Sequence, residues 1–272
     1  IHSHDRLTML IEAVASVWEQ TYDPLELLVV DDASSDGTWA WLQREDRIRS
    51  MRHTHRRGPS AARNTAAAAA RGRYLAFLDS DDLFLPTKLE QQVKLMESEP
   101  SLPLCHANEI WRRNGKEVRQ GPQHLKLGGA IFNHCLPMCR ISPSAAMMRR
   151  RSFEQLGGFD EDQEVAEDYE LWLRVTAGHE VGFVEEPLII KRGGHPDQLS
   201  CKYGQIEKFR IEALRRVLGR CPLSADQRKA AQDELRRKCE IHARGCEKRG
   251  KIEEAARYRA LYGTVFTLAA RK

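Results

Sequence analysis

Residues Tyr74 to Asp82 read YLAFLDSDD, a short apolar run that ends directly in three carboxylates. Residues Leu25 to Ser34, LELLVVDDAS, are built the same way. Brief unbroken apolar runs of this kind read as strands buried on both faces, as in a parallel sheet. Helical patterns flank them. Leu7, Leu10, Ile11, Val14, Val17 and Trp18 recur at helical spacing, predicting a helix from Arg6 to Gln20 with Asp5 as its N-cap. Pro59 opens a helix through Arg71 that Gly72 stops, and Pro86 starts another to about Glu99. Alternating strands and helices imply an α/β domain with a mainly parallel sheet flanked by helices. Such sheets bind ligands at the carboxyl ends of their strands. Asp31 and Asp32, and Asp79 to Asp82, stand at two such ends and are expected to face one crevice.

Further along, Leu104–Arg112 and Lys116–Arg119 flank Asn114-Gly115, a hairpin signal. Ser144 to Arg149 reads as a strand, Glu167 to Thr176 as a helix and Val181 to Ile190 as extended. After Ser200 the pattern is helical. Pro222 interrupts it, Ser224 with Gln227 forms a capping-box signature, and Gly250 separates the last two helices. The stretch GKIEEAARY is similar to one unit of a helix-hairpin repeat, but one unit makes no array. The expected division is an α/β domain over 1–204 and a basic helical region over 205–272.

The 272 residues are 41% hydrophobic and 30% charged, enough for one large core plus an extension and too apolar for a disordered chain. No apolar run approaches the roughly 18 residues of a membrane span. Seven cysteines without a CxxC pair fit reduced thiols, and a cytoplasmic location is expected. His134, Cys135 and Cys139 lie close together but lack a second ligand pair at zinc spacing. From Gln205 onward there are 18 Lys/Arg against 9 Asp/Glu, so the basic charge is concentrated at this end. That suits peripheral contact with an anionic surface, such as the inner face of a membrane, or simply a solvated helical face. No nucleic-acid partner is expected.

Bare carboxylates repel a phosphate ligand. At a strand end they make sense when a hard divalent cation bridges them to phosphate oxygens and stabilises the charge growing on a leaving diphosphate. Four blocks occur in order: LLVVDDASSDGT (27–38), RGPSAARNTAAAAARGRYLAFLDSDD (57–82), LGGFDED (156–162) and AEDYELWLRV (166–175). With these blocks the chain resembles the inverting family 2 glycosyltransferases of GT-A fold, bacterial type, from about Ile1 to Ser200. The resemblance implies a hexosyltransferase-type enzyme that moves a sugar from a nucleotide-diphosphate sugar, UDP-linked, to a hydroxyl acceptor in glycan or polysaccharide synthesis, with manganese or magnesium. It implies that Asp32 accepts a hydrogen bond from the base, with Ser3, Asp31 and Ser34 lining that pocket. Arg63 would lie near the diphosphate, Asp79 at the ribose or metal, and Asp81 with Asp82 at the metal in the DXD motif. Asp168 would be the general base, with Glu167 beside it. Arg192 and His195, in KRGGHPDQLS, match a segment that closes over the diphosphate, with His195 as a further metal ligand. Trp172 reads as core.

Two departures bear on these expectations. Family members usually begin with a complete apolar strand followed by a tyrosine-containing motif. Here only Ile1 to Arg6 of that block is present and His4 replaces the tyrosine, so residues are expected to precede Ile1. Two other classes remain open at this stage. A nucleotidyltransferase of similar fold would leave Glu167 and Asp168 without a task, and a silent nucleotide-sugar-binding module would have no need of intact acidic clusters.

Overall fold

The computed structural model describes residues 1–194 and 206–269. Its first half is a three-stranded parallel sheet in the order β1 (His2–Ser3), β2 (Leu27–Asp31), β3 (Ile48–Arg52). All five β2 residues are buried, as their apolar run requires. The second sheet is mixed, in the order β4 (Tyr74–Ala76), β8 (Met147–Arg149), β6 (Leu104–Arg113), β9 (Gly182–Gly193), β5 (Leu83–Phe84). Only β6 and β9 run parallel in it; the other pairs are antiparallel. A single parallel bridge from His2 to Asp79 joins the two sheets, which brings the ends of β2 and β4 to one edge. Beside β1, an apolar cavity of about 450 Å³ opens between β2 and β4, lined by Ile1, Leu27, Ala67, Leu75 and Phe77 among others.

The helices follow the sequence pattern with local changes. α1 spans Leu7–Trp18, α2 Thr38–Leu42, α3 Pro59–Ala69 and α4 Lys88–Ser98. Asp5 does not cap α1. It adopts a left-handed φ of 51°, and its carboxylate accepts from the backbone and hydroxyl of Ser35. The α1 N-terminus is instead capped across the crevice, where Leu7 N donates to Asp36 at 2.9 Å. A cap need only present an acceptor oxygen, and the loop after β2 supplies it. β7 (Lys116–Val118) pairs back on β6, with both Asn114 and Gly115 at positive φ, as a type I′ turn demands. β9 continues past Pro187, which the ladder accommodates by register shifts beside Asn108.

One core lies between α1, β2, α4 and β6, with Leu10, Val29, Met96 and Ala107 fully buried. The other gathers Phe77, Phe153, Phe159 and Trp172, in edge-to-face and tilted contacts. It also takes in Ile211, Leu214 and Val217 of the next helix, α8 (Ile206–Arg220). α5 (Phe132–Cys135), α6 (Arg150–Gln155) and α7 (Glu167–Gly178) precede it, and α9 (Ala225–Glu247) and α10 (Ile252–Ala269) follow. The Ser224/Gln227 capping box opens α9 as expected. The expected boundary at residue 204 lies outside the described residues, and the helices beyond it share the core of the α/β unit. Among the described residues, no helix is long and apolar enough to cross a membrane.

Lys238 on α9 is fully buried. Its amine donates to Pro137 O at 2.8 Å and pairs with Glu207 and Glu234 at 3.0 and 3.1 Å. Removing a buried cation strands its anionic partners, although Glu207 is partly solvated, which softens the penalty. Lys238→Ala is expected to lower unfolding free energy by about 2 kcal/mol, and Lys238→Met by less because it fills the space. Urea unfolding of both variants measures this.

Candidate active site

Arg63 on α3 links two regions of the crevice. Its Nη2 donates to Asp79 Oδ1 at 2.7 Å and its Nη1 to Glu167 Oε1 at 2.6 Å. It is 6% exposed, and its guanidinium lies over the Phe159 ring at 5.1 Å. The fork geometry of arginine suits two carboxylates held apart. Burial works against the Asp79 charge, but Arg63 outweighs it and holds the carboxyl down at about 2. At Glu167 burial prevails over Arg63, and the carboxyl lies above its ordinary value. Arg63 is therefore committed to the protein's own acids rather than directed at open space.

The carboxylates of Asp79, Asp81 and Asp82 lie within 4.8 Å of one another. Asp81 pairs with Arg6 at 2.9 Å. Asp82 is 2% exposed; it accepts from Ser144 Oγ at 2.6 Å and from Arg192 N at 2.9 Å. Burial, then the neighbouring Asp81 and Asp79, push its carboxyl well above the usual range. A divalent cation relieves this kind of repulsion, and three hard oxygen donors fit magnesium or manganese. Arg192 donates its Nε to the Asp81 carbonyl and pairs with Glu12 on α1, so its side chain ties the acidic loop to α1. His195 lies outside the described residues.

At the end of β2, Asp32 accepts from Arg57 N and His53 Nδ1 through Oδ1, and from Gly58 N through Oδ2, each within 2.8 Å. Its carboxyl lies below the usual value; burial opposes this, and the hydrogen bonds from Arg57, His53 and Gly58 overcome it. Asp31 accepts from Ser34 N at 3.0 Å and pairs with Arg52 at 3.1 Å. Ser34 Oγ in turn accepts from Asp5 N. Ser3 is buried, and its hydroxyl lacks a hydrogen-bond partner among the described residues. The acids of this corner thus shape its loops, while Ser3 holds an unused hydroxyl beside them.

Ala166, at a positive φ of 63°, turns the chain into α7. Adjacent helix residues point about 100° apart, so Glu167 turns in to Arg63 while Asp168 turns to a small cavity. Its lining includes Glu109, Trp111, Lys126, Arg140, Asp168 and Lys191. Cys139 Sγ donates to Asp168 Oδ2 at 3.2 Å, and Tyr169 N to Oδ1 at 2.7 Å. Lys126 pairs with Glu109 at 3.0 Å. Burial opposes the Lys191 charge, but Glu109, Asp82, Asp79 and Asp168 hold it above the ordinary lysine value. Sequence reasoning missed Cys139, Glu109, Lys126 and Lys191. For Lys191 a signal existed, since strand alternation puts 191 and 192 on opposite faces of β9. For Cys139 there was none. His134, Cys135 and Cys139 do not converge on a metal: His134 Nε2 bonds Leu125 O, and Cys139 bonds Ile141 O and Asp168.

The family model described as glycosyl transferase family 2 matches residues 1–157. An uncharacterized glycosyltransferase of Rickettsia conorii is 31% identical over 188 residues, which cover 68% of this chain and 31% of that protein. The Escherichia coli UDP-Glc:alpha-D-GlcNAc-diphosphoundecaprenol beta-1,3-glucosyltransferase WfgD is 35% identical over 178 residues, or 63% of this chain and 66% of that one. The chain thus spans about a third to two thirds of these relatives' lengths. Among solved structures, Staphylococcus aureus TarS 1–349 in complex with UDP superposes with a TM-score of 0.65 at 17% identity, covering 89% of this chain and 70% of that one. The mannosyltransferase PcManGT from Pyrobaculum calidifontis, in complex with GDP-Man and Mn2+, gives 0.63 at 18% identity, covering 99% and 77%. Both share this chain's GT-A fold.

Arg63→Met is expected to destabilise the protein at pH 7 by about 3 kcal/mol, because it leaves the buried Glu167 and the partly buried Asp79 without their cation. The depressed carboxyl of Asp79 stabilises the wild type above the unfolded value and stops doing so only as pH falls through about 2. In the variant, protonating the stranded acids relieves the strain. The stability gap between the two proteins should therefore narrow as pH falls from 7 to 4, as measured by urea unfolding across that range.

Proposed function

The chain belongs to glycosyl transferase family 2, and from that premise we propose that it transfers a sugar, with inversion, from a UDP-sugar to a hydroxyl of a glycan acceptor, assisted by manganese or magnesium. The observation that carries this reading is the Asp79–Arg63–Glu167 bridge. It ties Asp79, one of the carboxylate trio, to Glu167, the neighbour of Asp168 on α7.

The residues divide the work. Asp79 and Asp81 would hold the cation, with Asp82, fixed by Ser144 and Arg192, closing the trio behind them. When bound, the cation stabilises the charge that develops on the departing diphosphate. Ser3, with the loops that Asp31, Asp32 and Ser34 shape, would receive the uracil. Asp168 takes the proton of the acceptor hydroxyl as that oxygen attacks the anomeric carbon. The bond to the diphosphate breaks from the opposite face, so configuration inverts in a single displacement and no covalent sugar–enzyme species is required. Cys139, donating to one Asp168 oxygen, leaves the carboxylate oriented for that task. Glu167 keeps Arg63 in place.

Lys126, Arg140 and Lys191 around the Asp168 cavity suit an acceptor that carries phosphate. WfgD is named for a lipid-diphosphate acceptor and a UDP-glucose donor. Both facts favour a lipid-linked glycan as the substrate, with the basic C-terminal helices near the cytoplasmic face of a membrane. The pairing of Glu167 with Arg63, and the exposure of Asp168 to its own cavity, favour sugar transfer over nucleotidyl transfer, which gives that carboxylate no task.

The reading predicts stabilisation by UDP with manganese. At 100 times Kd, bound ligand adds about 2.7 kcal/mol to stability. Thermal shift should show this with UDP and not with GDP, CDP or dTDP, and Asp81→Asn should abolish the metal-dependent part. Asp168→Asn should keep the shift while lowering kcat by roughly 10²- to 10⁴-fold. Wild type that responds to no nucleotide, with or without metal, rules the reading out.

A further inference from the structure

Among the described residues, the far half of the C-terminal helical hairpin has only a small apolar cluster of its own. The first half of α9 joins the main core through Ala231, Leu235 and Cys239. Beyond that point Ala243, Cys246 and Ala255 form a small cluster, and Tyr258, packed against it, also touches the main core. A core this small ordinarily needs a staple, and a bound metal is one of the few available.

Three metal-ligating side chains converge inside that cluster. His242 and Cys246 are four residues apart on α9 and therefore share a face. Glu254 reaches them from the first turn of α10. One ligand atom from each lies within 4.8 Å of the other two. His242 is 4% exposed and Cys246 fully buried. His242 Nε2 is a buried nitrogen with no hydrogen-bond partner among the described residues, at 3.5 Å from the Glu254 carboxylate. Leaving such a group unsatisfied costs about 1–3 kcal/mol, so its placement calls for an explanation. The Tyr258 ring, at 4.2 Å between centroids, holds the imidazole in position.

We propose that His242, Cys246 and Glu254 form a zinc site that staples α9 to α10, with water in the fourth position. A nitrogen, a sulfur and an oxygen donor together select zinc over magnesium or manganese, which favour oxygen alone. With bonds of about 2.0–2.3 Å to zinc, tetrahedral ligands stand roughly 3.3–3.6 Å apart. Closing from the present separations takes side-chain shifts of about an ångström, within the reach of rotamer adjustment. The site is separate from the Asp79–Asp82 trio in position and in chemistry, and does not depend on the catalytic reading.

The test is metal analysis of the full chain, purified without a histidine tag and then equilibrated with one equivalent of zinc and desalted. The expected result is about one zinc per chain in the wild type and in Asp81→Asn, and essentially none in Cys246→Ala or His242→Gln. Glu254→Gln, at a partly exposed position, should bind with an affinity reduced about 10- to 100-fold. Cobalt in place of zinc should give the intense thiolate charge-transfer absorption of a sulfur ligand, lost in Cys246→Ala. Hydrogen exchange should show slower opening of residues 240–262 with zinc than after chelation. The proposal is overturned if the wild type retains no zinc, if Cys246→Ala retains as much as the wild type, or if cobalt shows no thiolate absorption.

Discussion

Arg63 is the interaction on which the crevice depends. Two carboxylates, the partly buried Asp79 at the end of the β4 segment and the buried Glu167 at the start of α7, come from stretches 88 residues apart in the chain. Without a cation between them, each would be an isolated charge in a poorly solvated place, and the loops that carry them would separate. Arginine serves here where lysine would not, because its planar fork reaches both acids at once and cannot give up its proton. The bridge therefore does more than neutralise. It ties the loop of the acidic trio to the start of α7, where Asp168 follows Glu167.

Charge around this bridge is graded rather than uniform. Asp79, against Arg63, is held strongly ionised, whereas Asp82, surrounded by acids and buried, is pushed well above the usual carboxylate range. Lys191 lies among the acids of both halves. An acidic cluster of this density is unstable as an empty group of anions, and the protein contains it with Arg6, Arg63 and Lys191 and with hydrogen bonds from Ser144 and Arg192. These contacts keep the three carboxylates convergent.

The parts of this molecule that were legible in the sequence are those governed by local rules. The β2 and β4 runs, the Asn114-Gly115 turn and the Ser224/Gln227 cap each depend on a few adjacent residues, and each is found where the pattern puts it. The Asp5 cap failed because the acceptor that α1 uses, Asp36, comes from another loop. Beyond the hairpin, the pairing direction of β4, β5, β6 and β8 was illegible for a related reason: it depends on connections longer than a pattern spans. At the site, the acidic clusters announced themselves by position at strand ends. Arg63 was expected near the diphosphate from the family resemblance, and its bridge to Asp79 and Glu167 had no signal in the sequence. Cys139 and Lys126 belong to irregular segments with no periodicity to read.

The C-terminal helices are better understood as support for the turn beside Asp168 than as an attachment. Lys238 donates to Pro137 O, and Tyr169, one residue after Asp168, donates its hydroxyl to Leu136 O. These two bonds hold the 136–137 turn from opposite sides. Two residues further on, Cys139 donates to Asp168. The path from α9 through this turn to the carboxylate is continuous, running from Lys238 to Pro137 O and from Cys139 to Asp168. A change in how α9 packs therefore has a physical route to the orientation of Asp168, because the turn has neither a helix nor a strand of its own to resist displacement. That dependence explains why a residue as costly to bury as Lys238 occupies the α9 core: an ammonium can satisfy a carbonyl in an irregular turn, and no apolar side chain of the same length can do so.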